Sequence, residues 1–150
     1  MLVKYHVILG AIASAIIYFI FQITPIQATI IFLASFLIDV DHYLIYIFDK
    51  KEINFNNAHK WFLKRRNKWI KLNPDQKNKT KRAIFIFHGI EFVFILIIFS
   101  FFIPIVKFIL FGVLIHLILD YIDIIYYKDK LYSKMSQIYV ILTNKDKKEF

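Results

Sequence analysis

The stretch that decides the fold of this chain is Asp39-Val40-Asp41-His42, which lies inside an apolar run over residues 28–48. An ionised carboxylate at the centre of a membrane helix costs roughly 2.5–3.5 kcal/mol on insertion scales. Acidic side chains in such a run therefore need a compensating charge. We expect that this charge is a bound divalent cation, and that other segments of the chain bring further ligands to it.

The composition of the whole chain indicates a small membrane protein. Its 150 residues are 59% hydrophobic, and the mean hydropathy is +0.55. A chain of this length corresponds to a single domain, residues 1–150. The sequence contains no cysteine, which excludes disulfides, thiolate metal ligands and cysteine nucleophiles. Any bound metal must then be held by nitrogen and oxygen atoms.

Four apolar segments predict membrane-spanning helices, over residues 7–23, 28–48, 83–102 and 105–127. No cleavage site follows the first segment, so we expect it to remain as an uncleaved span. The second would be ~31 Å long at ~1.5 Å per residue, enough to cross a hydrocarbon core of ~30 Å. Pro104 marks the turn between the last two segments. The predicted fold class is an all-α bundle of four transmembrane helices.

The basic residues of this chain, whose formal net charge is +9, are concentrated on one side of the predicted bundle. All except Lys107 lie before the first span, in a loop over residues 49–82 or in a tail over residues 128–150. The positive-inside rule then places both termini and the loop on the cytoplasmic side of the inner (cell) membrane. An amphipathic helix around 57–72 is expected at the membrane surface, with lipid as its partner. No recognition motif accompanies the charge, so nucleic acid is not an expected partner, and the oligomeric state stays open.

Acids and histidines from several segments share one depth in this topology. Counted from the cytoplasmic ends at ~1.5 Å per residue, Asp39 lies ~14 Å deep and His116 ~16 Å deep. The predicted spans carry no Lys or Arg in their inner halves, so protons or metal ions must neutralise the acids. Carboxylate and imidazole ligands favour zinc, with manganese or iron as alternatives, and there are enough of them for one to three ions. The candidate metal ligands are His6, Asp39, His42, His59, His88, His116 and Asp120.

The remaining acids are candidates for catalysis. Glu91, Asp41 and Asp123 could each act as a general base or orient a ligand. Asp41 lies about 200° around a regular helix from Asp39, so both cannot point at one ion. Three interpretations of Asp41 stay open. The helix is distorted there, or Asp41 orients a metal ligand, or Asp41 binds a second metal.

Three motifs together resemble a family of membrane-bound metal-dependent hydrolases, the inner-membrane-associated, LexA-binding type. They are Asp39-Val40-Asp41-His42, His88-Gly89-Ile90-Glu91 and the segment 112–120, which ends in His116-Leu117-Ile118-Leu119-Asp120. Where that family shows His-Arg followed by Thr-His-Ser, this chain has His88-Gly89 followed by Glu91. Glu91 is thus a candidate replacement for one histidine of the family pattern, and His59 for another.

A more distant similarity is to the zinc-dependent phospholipase C and nuclease superfamily. It rests on the order of His6, Asp39 or Asp41, His59, His88, His116 and Asp120. The two resemblances imply a metal-dependent hydrolase, and the second implies phosphoester cleavage. The expected function is hydrolysis of a phosphoester in a lipid or lipid-linked substrate by metal-activated water. The alternatives are a divalent-cation or proton transporter, and a metal-stabilised membrane scaffold without catalysis.

Overall fold

The computed structural model describes residues 2–127, 129, 135–145 and 147. This part of the chain is all-helical, as predicted, and it includes one 3-10 turn at Ile86–His88. The helices are α1 (Val3–Phe21), α2 (Pro25–Leu37), α3 (Val40–Lys50), α4 (Phe55–Lys71), α5 (Pro74–Lys79), α6 (Ile90–Phe102), α7 (Val106–Tyr126) and α8 (Gln137–Thr143).

Among the described residues, three helical stretches are long and apolar enough to cross a membrane, which supports the membrane class. They are Val3–Phe21, Pro25–Lys50, which comprises α2 and α3, and Val106–Tyr126. Their outer faces carry exposed aromatic residues, such as Phe19 with 75% of its surface exposed. Large apolar side chains on the outside of a protein mark a surface that water does not cover.

The second predicted span is interrupted where the acidic motif lies. Helix α2 ends at Leu37, α3 begins at Val40, and Asp39 is the residue that precedes α3. The amide of Asp39 donates to Phe36 O at 3.2 Å and that of Asp41 to Ile38 O at 3.3 Å, so both hydrogen bonds close tighter 3-10-type turns. The break changes the direction of the side chains, so the 200° separation expected for a regular helix does not apply here.

The third predicted span, 83–102, is α-helical only from Ile90 onwards. At ~1.5 Å per residue, α6 is ~20 Å long, short of the ~30 Å hydrocarbon core. The preceding segment contains only the 3-10 turn, and other parts of the chain bind its backbone. Phe87 N–H donates to Asp41 Oδ2 at 2.7 Å, and Phe85 N–H donates to Gln137 Oε1 at 2.8 Å. Irregular backbone at membrane depth is tolerated where protein buries it in this way.

Small residues bring the central helices close together. Helix α2 packs against both α1 and α7, and α6 packs against α7. A Cβ atom on Gly112 of α7 would lie 2.4 Å from Ile31 O and 2.6 Å from Ala34 Cβ on α2. A Cβ atom on Gly10 of α1 would lie 2.0 Å from Ser35 Oγ. Glycine therefore sets the spacing at which α1 and α7 can both contact α2.

Helix α4 is the amphipathic helix that the loop sequence predicted. It begins after Asn54, whose side chain accepts a hydrogen bond from Asn57 N–H at 3.1 Å. Glu52 accepts hydrogen bonds from the Tyr46 hydroxyl and from the side-chain amide of Asn57, and it thereby connects α3 to the start of α4. These two hydrogen bonds lower the pKa of its carboxyl group. Phe62 of α4 packs edge-on against the ring of His42, with centroids 4.9 Å apart. The apolar side of α4 thus covers the end of the bundle that carries the acidic motif.

Candidate metal centre

Six of the seven predicted metal ligands meet at the centre of the bundle. His6 comes from α1, Asp39 from the break before α3, and His42 from α3 itself. His88 ends the 3-10 turn, and α7 supplies His116 and Asp120. The three histidines at positions 6, 88 and 116 are 0% exposed, and Asp120 is 1% exposed. Their burial requires that each charge and each ring nitrogen finds a partner in the protein or in a bound ion.

The rings of His88 and His116 face each other through their Nε2 atoms, which are 3.1 Å apart. His88 Nδ1 lies 3.1 Å from a carboxylate oxygen of Asp41, and His116 Nδ1 lies 2.9 Å from the carbonyl oxygen of Ser35. A carbonyl or carboxylate oxygen only accepts, so we assign the proton of each ring to Nδ1. Both Nε2 atoms then present lone pairs to the same point. A proton or a cation must lie there to prevent repulsion.

Two carboxylates surround this point. Asp39 Oδ1 lies 3.5 Å from His88 Nε2 and 3.6 Å from His116 Nε2. Asp120 Oδ2 lies 3.9 Å and 3.8 Å from the same two atoms. These separations exceed ordinary hydrogen bonds, but ligand atoms about 2.0–2.2 Å from one tetrahedral ion are ~3.3–3.6 Å apart. The cluster could therefore hold a metal ion, and the charge of a divalent ion would balance the two aspartates.

His6 and His42 extend the cluster. The ring of His6 stacks on that of His116 with centroids 3.9 Å apart, and its Nε2 lies 3.4 Å from Asp120 Oδ1. His42 Nε2 lies 3.3 Å from Asp39 Oδ1. Within the described ranges, neither ring nitrogen of His6 nor Asp39 Oδ2 makes a hydrogen bond. Buried polar atoms without such a partner are expected where an ion completes the site.

Three groups of side chains have ligand atoms close enough to share an ion. They are His6, Asp39 and His116; Asp39, His42 and His88; and His88, His116 and Asp120. The groups share Asp39, His88 and His116, so they form one connected centre. This sharing fits either one ion or several neighbouring ions bridged by common ligands.

Asp41 lies beside the cluster and not within it. Its Oδ2 atom accepts from Phe87 N–H and faces His88 Nδ1, and its side chain is 3% exposed. A carboxylate on the outer nitrogen of a metal-binding histidine fixes the orientation of the ring and raises its basicity. Of the three interpretations of Asp41, this geometry favours the one in which it orients a ligand, and the helix break lets it reach His88.

Replacing Asp41 by asparagine should weaken metal binding about 10- to 100-fold without removing the site, because His88 keeps its Nε2 but loses its charged partner. Metal titration of the purified protein measures this change. At saturating metal the variant should bind as much metal as the wild type. Complete loss of the metal would instead make Asp41 a ligand, and an unchanged affinity would exclude its orienting role. Asp49→Asn, the same acid-to-amide change at an exposed position of α3, is the matched control.

A cavity of about 290 Å³ opens beside the cluster. Asp39 and His42 form its inner end, whereas His6, His88, His116 and Asp120 do not line it. The side chain of His42 is 24% exposed. A ligand in the cavity would therefore reach the centre from the side of Asp39 and His42.

Three further predicted site residues, besides Asp41, lie outside the cluster. His59 is exposed on α4, lines the cavity and belongs to none of the three metal-binding groups. Glu91 accepts hydrogen bonds from the Ser136 hydroxyl and from the Gln137 and Ile138 amides, so it ties α6 to α8. Asp123 lies 3.4 Å from Arg66 Nη2. These positions do not support His59 as a ligand, or Glu91 as the replacement for one.

The structure adds two residues that the sequence did not single out. Ser35 contributes its backbone carbonyl to His116, and any residue type has that group, so no sequence signal marks it. Arg66 lies in a strongly basic segment, and only the tertiary structure shows that it lines the cavity and contacts Asp123. The cavity is also covered by Phe62 and Trp69, which the sequence placed at the membrane interface.

Comparisons with protein-family models, with curated proteins and with solved structures give no match to this chain. The resemblance to membrane-bound metal-dependent hydrolases therefore stays a prediction that rests on the motifs.

Proposed function

We propose that this chain is a membrane-embedded, metal-dependent hydrolase that cleaves a phosphoester in a lipid or lipid-linked substrate. A bound metal is supported by the two facing Nε2 atoms of His88 and His116, which are 3.1 Å apart while both Nδ1 atoms face acceptors. The cluster around that pair contains three buried histidines, the partly exposed His42 and two aspartates, and a divalent ion between the two Nε2 atoms would balance both carboxylates.

The roles of the side chains follow from their contacts. His88, His116, Asp39 and Asp120 hold the ion, and Asp41 and the Ser35 carbonyl orient the two rings. His6 packs on His116 and approaches Asp120. Nitrogen and oxygen ligands in a compact buried cluster favour zinc, with manganese or iron as alternatives.

The chemistry is assigned to the side of the cluster that faces the cavity. A divalent ion of this kind supplies Lewis acidity, which lowers the pKa of water towards ~7 and polarises a phosphoryl oxygen. His42 is the partly exposed titratable group at the boundary between cavity and cluster. We assign it the role of general base for the attacking water, in place of Glu91 and Asp123, which contact other groups.

We infer the substrate class from the side chains that line the cavity and from the expected orientation of the protein in a membrane. Apolar side chains such as Phe62, Leu63 and Ile70 line the cavity together with four arginines and lysines. Such a wall suits a molecule with both an acyl or prenyl chain and a phosphate group. The basic loop supports a cytoplasmic orientation of the opening by the positive-inside rule.

Purified protein tests this proposal in two measurements. The protein in detergent should contain a divalent metal, and it should hydrolyse a phosphodiester or phospholipid only while that metal is bound. Chelation should abolish turnover and re-addition of zinc or manganese should restore it. Bound metal without turnover would indicate the scaffold, and cation flux into liposomes would indicate the transporter. Protein without metal would exclude the centre altogether.

A further inference from the structure

The wall of the cavity carries more cationic than anionic side chains. Arg65, Arg66, Lys81 and Arg82 line it, against the aspartates Asp39, Asp123 and Asp129. Asp39 faces the histidines of the cluster, which leaves four cationic side chains and two carboxylates along the remaining wall. A net positive, partly apolar pocket attracts an anionic ligand.

Arg66 contacts α7 about one helical turn from the candidate ligand Asp120. Its Nη2 atom lies 3.4 Å from Asp123 Oδ1, and its guanidinium lies over the ring of Tyr127 at 5.0 Å. Asp123 follows Asp120 by three residues on α7, which is ~4.5 Å along the helix axis. A charged hydrogen bond between guanidinium and carboxylate is normally about 2.7–2.9 Å long, so the contact with Asp123 is loose. An anion with better geometry can replace it.

Arg82 is held more rigidly. Its side chain is 9% exposed, and its Nη2 atom lies 3.2 Å from Asp129 Oδ1. The guanidinium stacks on Trp69 at 4.9 Å, and Trp69 Nε1–H donates to the second carboxylate oxygen of Asp129 at 2.7 Å. Arg82 is thus fixed in the cavity wall before any ligand binds. A guanidinium that is pre-oriented in this way suits planar, two-point binding of phosphate oxygens.

We propose that Arg66 and Arg82 form an anion subsite that binds a second phosphate group of the substrate, next to the phosphoester at the metal centre. This inference rests on the proposed function for its catalytic meaning, but the subsite itself does not require the metal. The substrate class is then an amphiphile with two adjacent phosphate groups, such as an alkyl or prenyl diphosphate. A zwitterionic lipid would leave the excess positive charge of the cavity unmatched.

Binding of decyl phosphate and decyl diphosphate to the purified whole chain tests this subsite. The two probes share one chain and differ by one phosphate. Trp69 lies in the cavity wall, and Trp61→Phe leaves it as the reporter, because the sequence has 2 tryptophans. We expect the diphosphate to bind at least about tenfold more tightly, which is the size of one charge-assisted hydrogen-bonded contact. Equal affinity for the two probes would overturn the subsite.

Variants separate direct contact from general charge. Arg66→Gln should remove most of the preference for diphosphate, and Arg66→Lys should keep part of it. Asp123→Asn should strengthen diphosphate binding, because it frees Arg66 from its competing carboxylate. The control is Lys64→Gln, which removes the same charge from an exposed position of α4 outside the cavity. Weaker binding in Asp123→Asn, or an equal loss of preference in Lys64→Gln, would contradict the proposal.

Repeating the titration after chelation separates the subsite from the proposed hydrolase. A preference that depends on Arg66 and persists without metal supports the subsite even if hydrolysis is not found. Metal-dependent hydrolysis without any diphosphate preference would retain the proposed function and exclude the subsite.

Discussion

Replacing His116 by alanine should abolish stable metal binding by the purified protein. His116 Nε2 contacts all the inner members of the centre, because it lies within 3.8 Å of His88 Nε2, Asp39 Oδ1 and Asp120 Oδ2. Loss of an outer partner typically costs 10- to 100-fold in metal affinity, so loss of an inner ligand should cost more than ~100-fold. Metal content after dialysis, measured by elemental analysis, records the change.

His59→Ala is the matched control for this experiment. His59 is the predicted ligand that the structure leaves exposed on α4, outside the three metal-binding groups. Its replacement should leave metal content unchanged, and circular dichroism should show the same helix content in both variants. Equal loss of metal in both variants, or retained metal in His116→Ala, would contradict the geometry of the centre.

Removal of the metal should lower the melting temperature of the wild-type protein by about 5–10 °C. A ligand present at 100 times its Kd stabilises the folded state by about 2.7 kcal/mol, and each kcal/mol shifts the melting temperature of a chain of this size by about 2–4 °C. Without the ion, the buried carboxylates Asp39 and Asp120 lose their counter-charge, which adds to the cost. Thermal unfolding in detergent with and without chelator measures the difference.

Asp39→Asn should remove most of the dependence of the melting temperature on bound metal. The variant loses a metal ligand, so saturating metal stabilises it less, and it also loses a buried charge, so chelation harms it less. We expect its melting temperature to change by less than about 2 °C on chelation. Asp49→Asn is the control, since Asp49 is an exposed acid that pairs with Lys50 at 3.0 Å. A wild-type protein that is indifferent to chelation, or an Asp39→Asn variant as sensitive as the wild type, would argue against an ion at the cluster.

Two departures from regular α-helix within the predicted spans lie at the candidate centre. One precedes α3 at Asp39, and the other is the segment before α6 that carries His88. The freed backbone amide of Phe87 is satisfied by Asp41, so the same carboxylate stabilises the irregular segment and orients a ring of the centre.

The sequence by itself determined the class of the fold and most of the cluster. Long apolar runs allow only helices in a membrane, and acids or histidines inside such runs must find partners there, so Asp39, His116 and Asp120 could be grouped by depth alone. The depth argument also included Glu91 and Asp123, because counting residues along a helix gives a level in the membrane and not a neighbour.

The tertiary structure decided which of those residues meet. Glu91 turns to the start of α8 and Asp123 to Arg66, and both contacts join segments far apart in the chain. Asp41 contacts His88 Nδ1, and this contact joins the start of α3 to the 3-10 turn, which a helical period of ~3.6 residues cannot predict. The Asp39–His42 motif therefore has two parts with different roles. Asp39 and His42 face the candidate ion and the cavity, and Asp41 orients His88.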